Sequence, residues 1–286
     1  MTRSPSENRV AGESPRNLAS TWRLIHDTPR SGAENMAVDE ALLRAFDPAT
    51  SLPVLRLYGW EPAALSLGRF QQGAEVLDLE RCRCNGVAVV RRVTGGGAIF
   101  HADELTYSIV CTPDQIPPAA SVKDSFRVLT GFLLAFYRSL GLEVCYAADA
   151  APAGTLLGER TPFCFAGRES FDILVGGAKI GGNAQRRQKG LVFQHGSIPL
   201  ANRALDGLSY MRDKAPAQAR GVTSLGEWGV AGDMVRLQGL LAAAFAAHFD
   251  VELLADGLTE GEQRLATELA THKYATDSWN LEGVEG

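Results

Sequence analysis

Residues 171–198, FDILVGGAKIGGNAQRRQKGLVFQHGSI, constrain the fold more than any other stretch. Phe171, Ile173 and Val175 alternate with Asp172 and Leu174, a partial period-two pattern that predicts a strand. Gly176-Gly177 is a two-residue hairpin signal. A second strand is expected from Ala178 to about Gln185, then a basic turn over Arg186-Arg187-Gln188-Lys189-Gly190, then a third strand from Leu191 to Ile198. Alternation puts Lys179, Gly181 and Asn183 on one face of the middle strand, with Ile180, Gly182 and Ala184 on the other. A lysine therefore points where small neighbours leave room for a ligand. A solvated strand lysine would give the same pattern.

A second stretch, Arg91-Arg92-Val93-Thr94-Gly95-Gly96-Gly97-Ala98-Ile99-Phe100-His101, sets three glycines between two apolar runs. Glycine weakens a strand interior, so such a cluster marks a turn or a close backbone approach. Bare main-chain N–H groups there can reach an anionic or carbonyl oxygen. The residues alone fit a binding loop for an acyl or acyl-phosphate group and equally a flexible hairpin turn.

Helices are expected where capping pairs precede apolar runs: Ser121 and Asp124 before a run stopped by Gly141, Asp233 before 234–249, and Thr259 with Glu262 before 263–274. The strands between are short and linked by hairpin-like turns. The fold class is therefore α+β, with mixed, largely antiparallel sheets packed with helices. The 286 residues are 45% apolar, enough for one domain with a sizeable core over 21–286. Residues 1–20 read as a polar, disordered leader without a signal-peptide core. A net charge of −5 argues against a nucleic-acid binder, and no run approaches the roughly 20 apolar residues of a membrane span. Five cysteines do not suggest a disulfide framework and point to a reducing cytoplasm. Cys82 and Cys84 lack a second ligand pair at zinc-like spacing, so no metal site is expected.

The pair RRVTGGGAIFH and KIGGNAQRRQKGLVFQHGSI closely resembles the signature of the lipoate-attachment superfamily, which comprises lipoate–protein ligases and octanoyltransferases and is related in fold to biotin–protein ligases. The likeness extends in order from about residue 21 to 280. Asn35 to Leu43 resembles the family's first helix, Leu55–Trp60 and Ser66–Gln71 its opening strands, and Thr259 to Asn280 its closing segment. Cys164-Phe165, Ser170-Phe171-Asp172, Lys179 and Gln194-His195-Gly196-Ser197 are similar to the cysteine/lysine octanoyltransferases, as is Glu104-Leu105-Thr106-Tyr107-Ser108. Gly97, where many of those transferases carry arginine, and Asn183 resemble the ligases instead.

The resemblance implies catalytic roles for Cys164, as an acyl-carrying nucleophile, and for Lys179. A thiolate beside an ammonium is a competent nucleophile, although free cysteine is also among the most buried residue types. It implies substrate contacts from Arg91, Arg92, Thr94, Gly95, Gly96, Gly97, His101, Gly182, Asn183, Ala184, His195 and Gly196. For the two histidines, a structural hydrogen bond to a carbonyl is the competing reading. The implied partners are octanoyl-acyl carrier protein and a lipoyl-accepting domain such as glycine-cleavage H protein, with the basic turn as a docking element. A transferase needs no cofactor; an ATP-dependent ligase, using ATP and Mg, is the alternative, and a non-catalytic acyl-carrier-binding protein the third.

Overall fold

The computed structural model describes residues 20–152, 157, 169–213 and 221–285. Cys164 and residues 1–19 of the leader lie outside the described residues. A six-stranded sheet runs in the order β10 (Gly182–Gln188), β11 (Leu191–Pro199), β6 (Glu104–Cys111), β2 (Val54–Tyr58), β1 (Thr21–His26), β12 (Glu252–Ala255). The β10–β11–β6–β2 half is antiparallel, while β1 lies parallel to both β2 and β12. Two three-stranded sheets complete the frame. One orders β4 (Ala88–Arg91), β3 (Ala64–Leu67) and β5 (Ile99–His101); the other orders β7 (Val144–Tyr146), β8 (Ile173–Val175) and β9 (Ala178–Lys179).

Strand β6 explains how the large sheet is covered. All eight of its residues are buried. Leu105, Tyr107, Ile109 and Cys111 join an apolar core with Phe132 and Phe136 of helix α4 (Val122–Ser139) and Leu241 and Phe245 of α7 (Met234–Phe249). The opposite face carries Glu104, Thr106 and Ser108, and it is roofed by α1 (Gly32–Ala45), which in turn packs on α8 (Glu260–His272). Short helical segments α2 (Gly73–Val76), α3 (Leu79–Cys84), α5 (Ala147–Ala150) and α6 (Ala204–Ser209) fill the edges. The expected caps are present: Ser121 accepts from the Asp124 N–H, Asp233 from Arg236, and Thr259 with Glu262 forms a reciprocal box.

The hairpin at Gly176-Gly177 forms as expected, with φ of 56° and 81°. Two other expectations are corrected. The middle run does not continue to Gln185 as one strand. Gly181 adopts φ +88°, and a β-carbon there would lie 2.2 Å from the Ser197 carbonyl oxygen. This left-handed close approach ends β9 at Lys179 and starts β10 in a different sheet, so Lys179 and Asn183 do not share a strand face. The basic turn also contracts to Lys189-Gly190, both at positive φ, because Arg186, Arg187 and Gln188 pair with Phe193, Val192 and Leu191.

Gly196 fixes another crossing. Opposite Asn183 in the ladder, it leaves space for the Tyr107 hydroxyl to donate to Asn183 Oδ1 at 2.7 Å. A β-carbon would lie 2.1 Å from that oxygen and 2.5 Å from the Tyr107 ring. Gly196→Ala is expected to lower unfolding stability by about 1–3 kcal/mol through overpacking, read as a lower urea midpoint with an unchanged slope.

Candidate active site

The polar face of β6 becomes a buried hydrogen-bonded layer once α1 lies over it. Asp39 of α1 sits at its centre, 1% exposed. Its Oδ1 accepts from Arg56 Nη1 at 2.7 Å and Ser108 Oγ at 2.8 Å, and its Oδ2 accepts from the Tyr58 hydroxyl at 2.9 Å. His195 Nδ1 lies 3.6 Å from the same Oδ2, and its Nε2 is 2.7 Å from Thr94 Oγ1. Burial alone would raise the Asp39 pKa; Arg56 and His195 outweigh it and hold the carboxyl below its ordinary value. His195 titrates lower than usual because burial disfavours the imidazolium more than Asp39 supports it. The neutral ring, with Nδ1–H toward Asp39, leaves Nε2 to accept from the Thr94 hydroxyl.

A second relay reaches the same loop. His101 Nδ1 is 2.7 Å from Glu104 Oε1, its Nε2 is 2.7 Å from Ser66 Oγ, and its ring stacks on Trp60 with centroids 3.8 Å apart. Glu104 also accepts from Thr106 Oγ1 and Ser197 Oγ, each at 2.5 Å. Arg92 Nη1 donates to Ser66 Oγ at 3.0 Å and to the Ser66 carbonyl at 2.9 Å. Its Nη2 donates to the carbonyls of Gly95 at 2.9 Å and Gly97 at 2.7 Å. Carboxylate, histidine and hydroxyl thus repeat the order of a hydrolase triad, but Ser66 is fully buried and Thr94 nearly so, so neither hydroxyl is presented as a nucleophile.

Both relays end on the glycine loop. Arg92 gathers two of its carbonyls, Arg69 N–H holds the Thr94 carbonyl at 2.7 Å, and Arg186 Nη1 holds the Val93 carbonyl at 2.9 Å. A β-carbon on Gly68 would lie 1.9 Å from the Gly96 oxygen, so backbone meets backbone there. The N–H groups of Gly95, Gly96 and Gly97 donate to no acceptor among the described residues. A β-carbon at Gly95 would meet open space. Two of the loop's carbonyls are fastened by Arg92 and three consecutive N–H groups are left over, donors of the kind that suit an anionic or carbonyl oxygen.

The other expected residues fall in three places. Arg91 sits behind the loop, where its guanidinium donates to the carbonyls of Gly68, Arg69, Gln71, Trp279 and Leu281. Gly182, Ala184 and Gly196 lie on the β10–β11 edge, with Ala184 opposite His195; Asn183 points to the other face, toward Tyr107, whose pKa burial raises so that its hydroxyl stays a donor. Lys179 lies in the β7–β8–β9 sheet, 2% exposed, with Nζ 2.8 Å from Asp172 Oδ2. Burial pushes the Cys82 thiol up to about 11 and raises that of Cys111, so neither is poised as a thiolate. Among the described residues, no group of three or more His, Cys, Asp or Glu could hold a metal ion, and no helix is long and apolar enough to cross a membrane.

Against this geometry, the profile of the lipoyl protein ligase A/B catalytic domain matches residues 31–245. The chain belongs to the lipoyl protein ligase A/B catalytic-domain family. Octanoyltransferase LipM of Symbiobacterium thermophilum is 35% identical over 283 residues, covering 92% of this chain and 99% of that protein. Octanoyltransferase LipM of Bacillus subtilis is 33% identical, covering 91% and 98%. A crystal structure of lipoate-protein ligase A bound with ATP matches with a TM-score of 0.76 at 25% identity, over 92% of this chain and all of that one. The bi-partite lipoate protein ligase of Thermoplasma acidophilum matches with a TM-score of 0.75 at 25% identity, over 93% and 98%. The α+β fold expected from the sequence is thus the lipoyl ligase catalytic fold, and membership makes the chain an acyl-transferring enzyme.

Sequence reasoning had no sight of the buried partners of this layer and loop: Arg56, Ser66, Ser108 and the reach of Arg186 to Val93. The signal for Ser108 lay in the Glu-Leu-Thr-Tyr-Ser alternation of β6, which reads as one solvated face until a helix covers it.

The His195 ring also predicts an acid limb. Its folded pKa lies below the unfolded value of about 6.5, so the unfolded chain takes up the proton first as pH falls. The stability held by the neutral ring is complete above that value and is lost as pH falls through it toward the folded pKa. Urea midpoints are expected to fall from pH 7 to pH 5 in the wild type and to fall less in His195→Gln.

Proposed function

We propose that the chain is an octanoyltransferase of protein lipoylation, moving an octanoyl group from acyl carrier protein to a lysine of a lipoyl-accepting protein such as glycine-cleavage H protein. The observation that carries this reading is the 35% identity to an octanoyltransferase along almost the whole of both chains. In it, the Cys164 thiolate attacks the octanoyl thioester carbonyl and the carrier's thiol leaves with a proton, giving an octanoyl-cysteine thioester. The acceptor's ε-amine then attacks that carbonyl, the carbon–sulfur bond breaks, the amine loses a proton, and the Cys164 thiol is restored. The N–H groups of Gly95, Gly96 and Gly97 supply hydrogen bonds to the developing oxyanion. Lys179 holds the acyl carbonyl, with Asp172 keeping its ammonium in place. His195 and Ala184 border the acyl group from one face of the β10–β11 pair, with Asn183 on the opposite face beside Tyr107. The incoming thioester is already activated, so the reaction calls for no nucleotide, and a reducing cytoplasm would keep the thiol available.

An ATP-dependent ligase is the second reading, favoured by Gly97 and by the likeness to lipoate-protein ligase A bound with ATP. Intact-protein mass spectrometry after mixing with octanoyl-acyl carrier protein, without ATP, separates the two. An octanoyl adduct is expected on the wild type and not on Cys164→Ala. Acylation of an acceptor that requires ATP and proceeds equally in both proteins would establish the ligase.

A further inference from the structure

Trp228 lies outside every motif discussed so far, yet it touches both sides of the lysine's strand. The backbone of Lys179 is held on two sides by the segment that follows residue 220: its N–H donates to the Gly221 carbonyl at 2.7 Å, and its carbonyl accepts from the Thr223 N–H at 2.9 Å. Thr223 is itself fixed by Trp228, whose Nε1–H donates to Thr223 Oγ1 at 2.9 Å, while that hydroxyl donates to Glu227 Oε2 at 3.1 Å. Glu227 closes a capping box with Ser224 and accepts from Asn202. The other end of the indole covers the β8–β9 turn. A β-carbon on Gly176 would lie 2.6 Å from its Cη2 and 2.9 Å from its Cζ2, so the ring rests on bare glycine backbone three residues before Lys179.

We propose that Trp228 is a positioning residue for Lys179, pinning the Gly176 turn with its ring and the Thr223 hydroxyl with its N–H. This rests on the reading above in which Lys179 holds the acyl carbonyl. The arrangement is not needed to fill the core, because the indole is 45% exposed. Its two contacts fall on the two chain segments that set the height of β9. A shift of either displaces the ammonium from the reacting carbonyl without altering how the acyl chain is bound. The loss therefore falls on kcat and not on KM.

The test is a double-mutant cycle on the full chain, following octanoyl transfer from octanoyl-acyl carrier protein, with thermal unfolding to establish that each variant is folded at the assay temperature. Trp228→Phe removes the N–H together with the far edge of the indole that reaches Gly176; Thr223→Val removes the acceptor and leaves the indole in place. Each is expected to lower kcat about tenfold with KM unchanged, and the double variant to be no slower than either single one. Trp228→Ala, which removes the ring altogether, is expected to be slower still. Wild-type kcat in Trp228→Phe, or losses that simply multiply in the double variant, would overturn the proposal. Lys179→Ala, assayed alongside, separates the two claims. A full rate in Lys179→Ala removes the lysine reading and the proposal with it, whereas loss of rate there beside wild-type kcat in Trp228→Phe removes the proposal alone.

Discussion

Replacing Arg56 by methionine is expected to lower unfolding stability by about 3–5 kcal/mol, because it leaves the Asp39 carboxylate buried without its counter-charge, while Asp27 keeps Arg30. The Arg56 side chain is fully buried and answers three groups at once. Nη2 donates to Asp27 Oδ2 and Asn35 Oδ1, both at 2.8 Å, and Nη1 donates to Asp39 Oδ1 at 2.7 Å. The guanidinium also lies over the Tyr58 ring, 3.9 Å from its centroid. Methionine fills much of the volume but donates nothing. Asp39 would then either keep its charge unpaired or take up a proton, and in both cases the line from Asp39 through His195 to Thr94 loosens. Arg56→Met combined with Asp39→Asn is expected to recover part of the loss, since the second change removes the stranded charge. Equilibrium urea unfolding reads both; equal stability of Arg56→Met and the wild type would contradict the account of this layer.

The second large effect is on rate. Lys179→Ala is expected to reduce octanoyl transfer by about a thousandfold, the size seen when one preorganised donor to a developing oxyanion is removed. The side chain's burial complicates the reading, because alanine leaves Asp172 without its partner 2.8 Å away. Lys179→Ala with Asp172→Asn separates the causes. If the loss were one of folding, the double variant would regain activity along with stability; if the ammonium acts on the acyl group, stability returns and activity does not. Stopped-time transfer assays beside thermal unfolding distinguish the outcomes.

Local chemistry made much of this molecule legible before its fold was known. Gly176-Gly177 and the three helix caps depend on near neighbours in the chain, and each formed where its residues predicted. The break at Gly181 was hidden because a glycine pair inside an alternating run looks alike whether the backbone stays extended or turns left-handed; only the approach of the Ser197 carbonyl decides. The polar layer was hidden for a different reason. Glu104, Thr106 and Ser108 carry the pattern of a solvated strand face, and nothing local reveals that α1 brings Asp39 to meet it. Arg91 was legible as important but not in kind. Its position beside the glycine loop suggested a ligand, whereas its hydrogen bonds run to carbonyls up to 190 residues away.

That reach has a consequence for how the protein is made. The Gly68–Gln71 corner, against which the glycine loop rests, is tied through Arg91 to Trp279, Asn280 and Leu281. During synthesis, the loop and both histidine relays leave the ribosome long before those carbonyls exist. The nascent chain can lay down its sheets early, but the loop's backing stays unfinished until residue 281 has emerged. Competence for acyl transfer should therefore arrive only once residue 281 has emerged, so that a chain stalled or trimmed before it holds a folded body without a working loop.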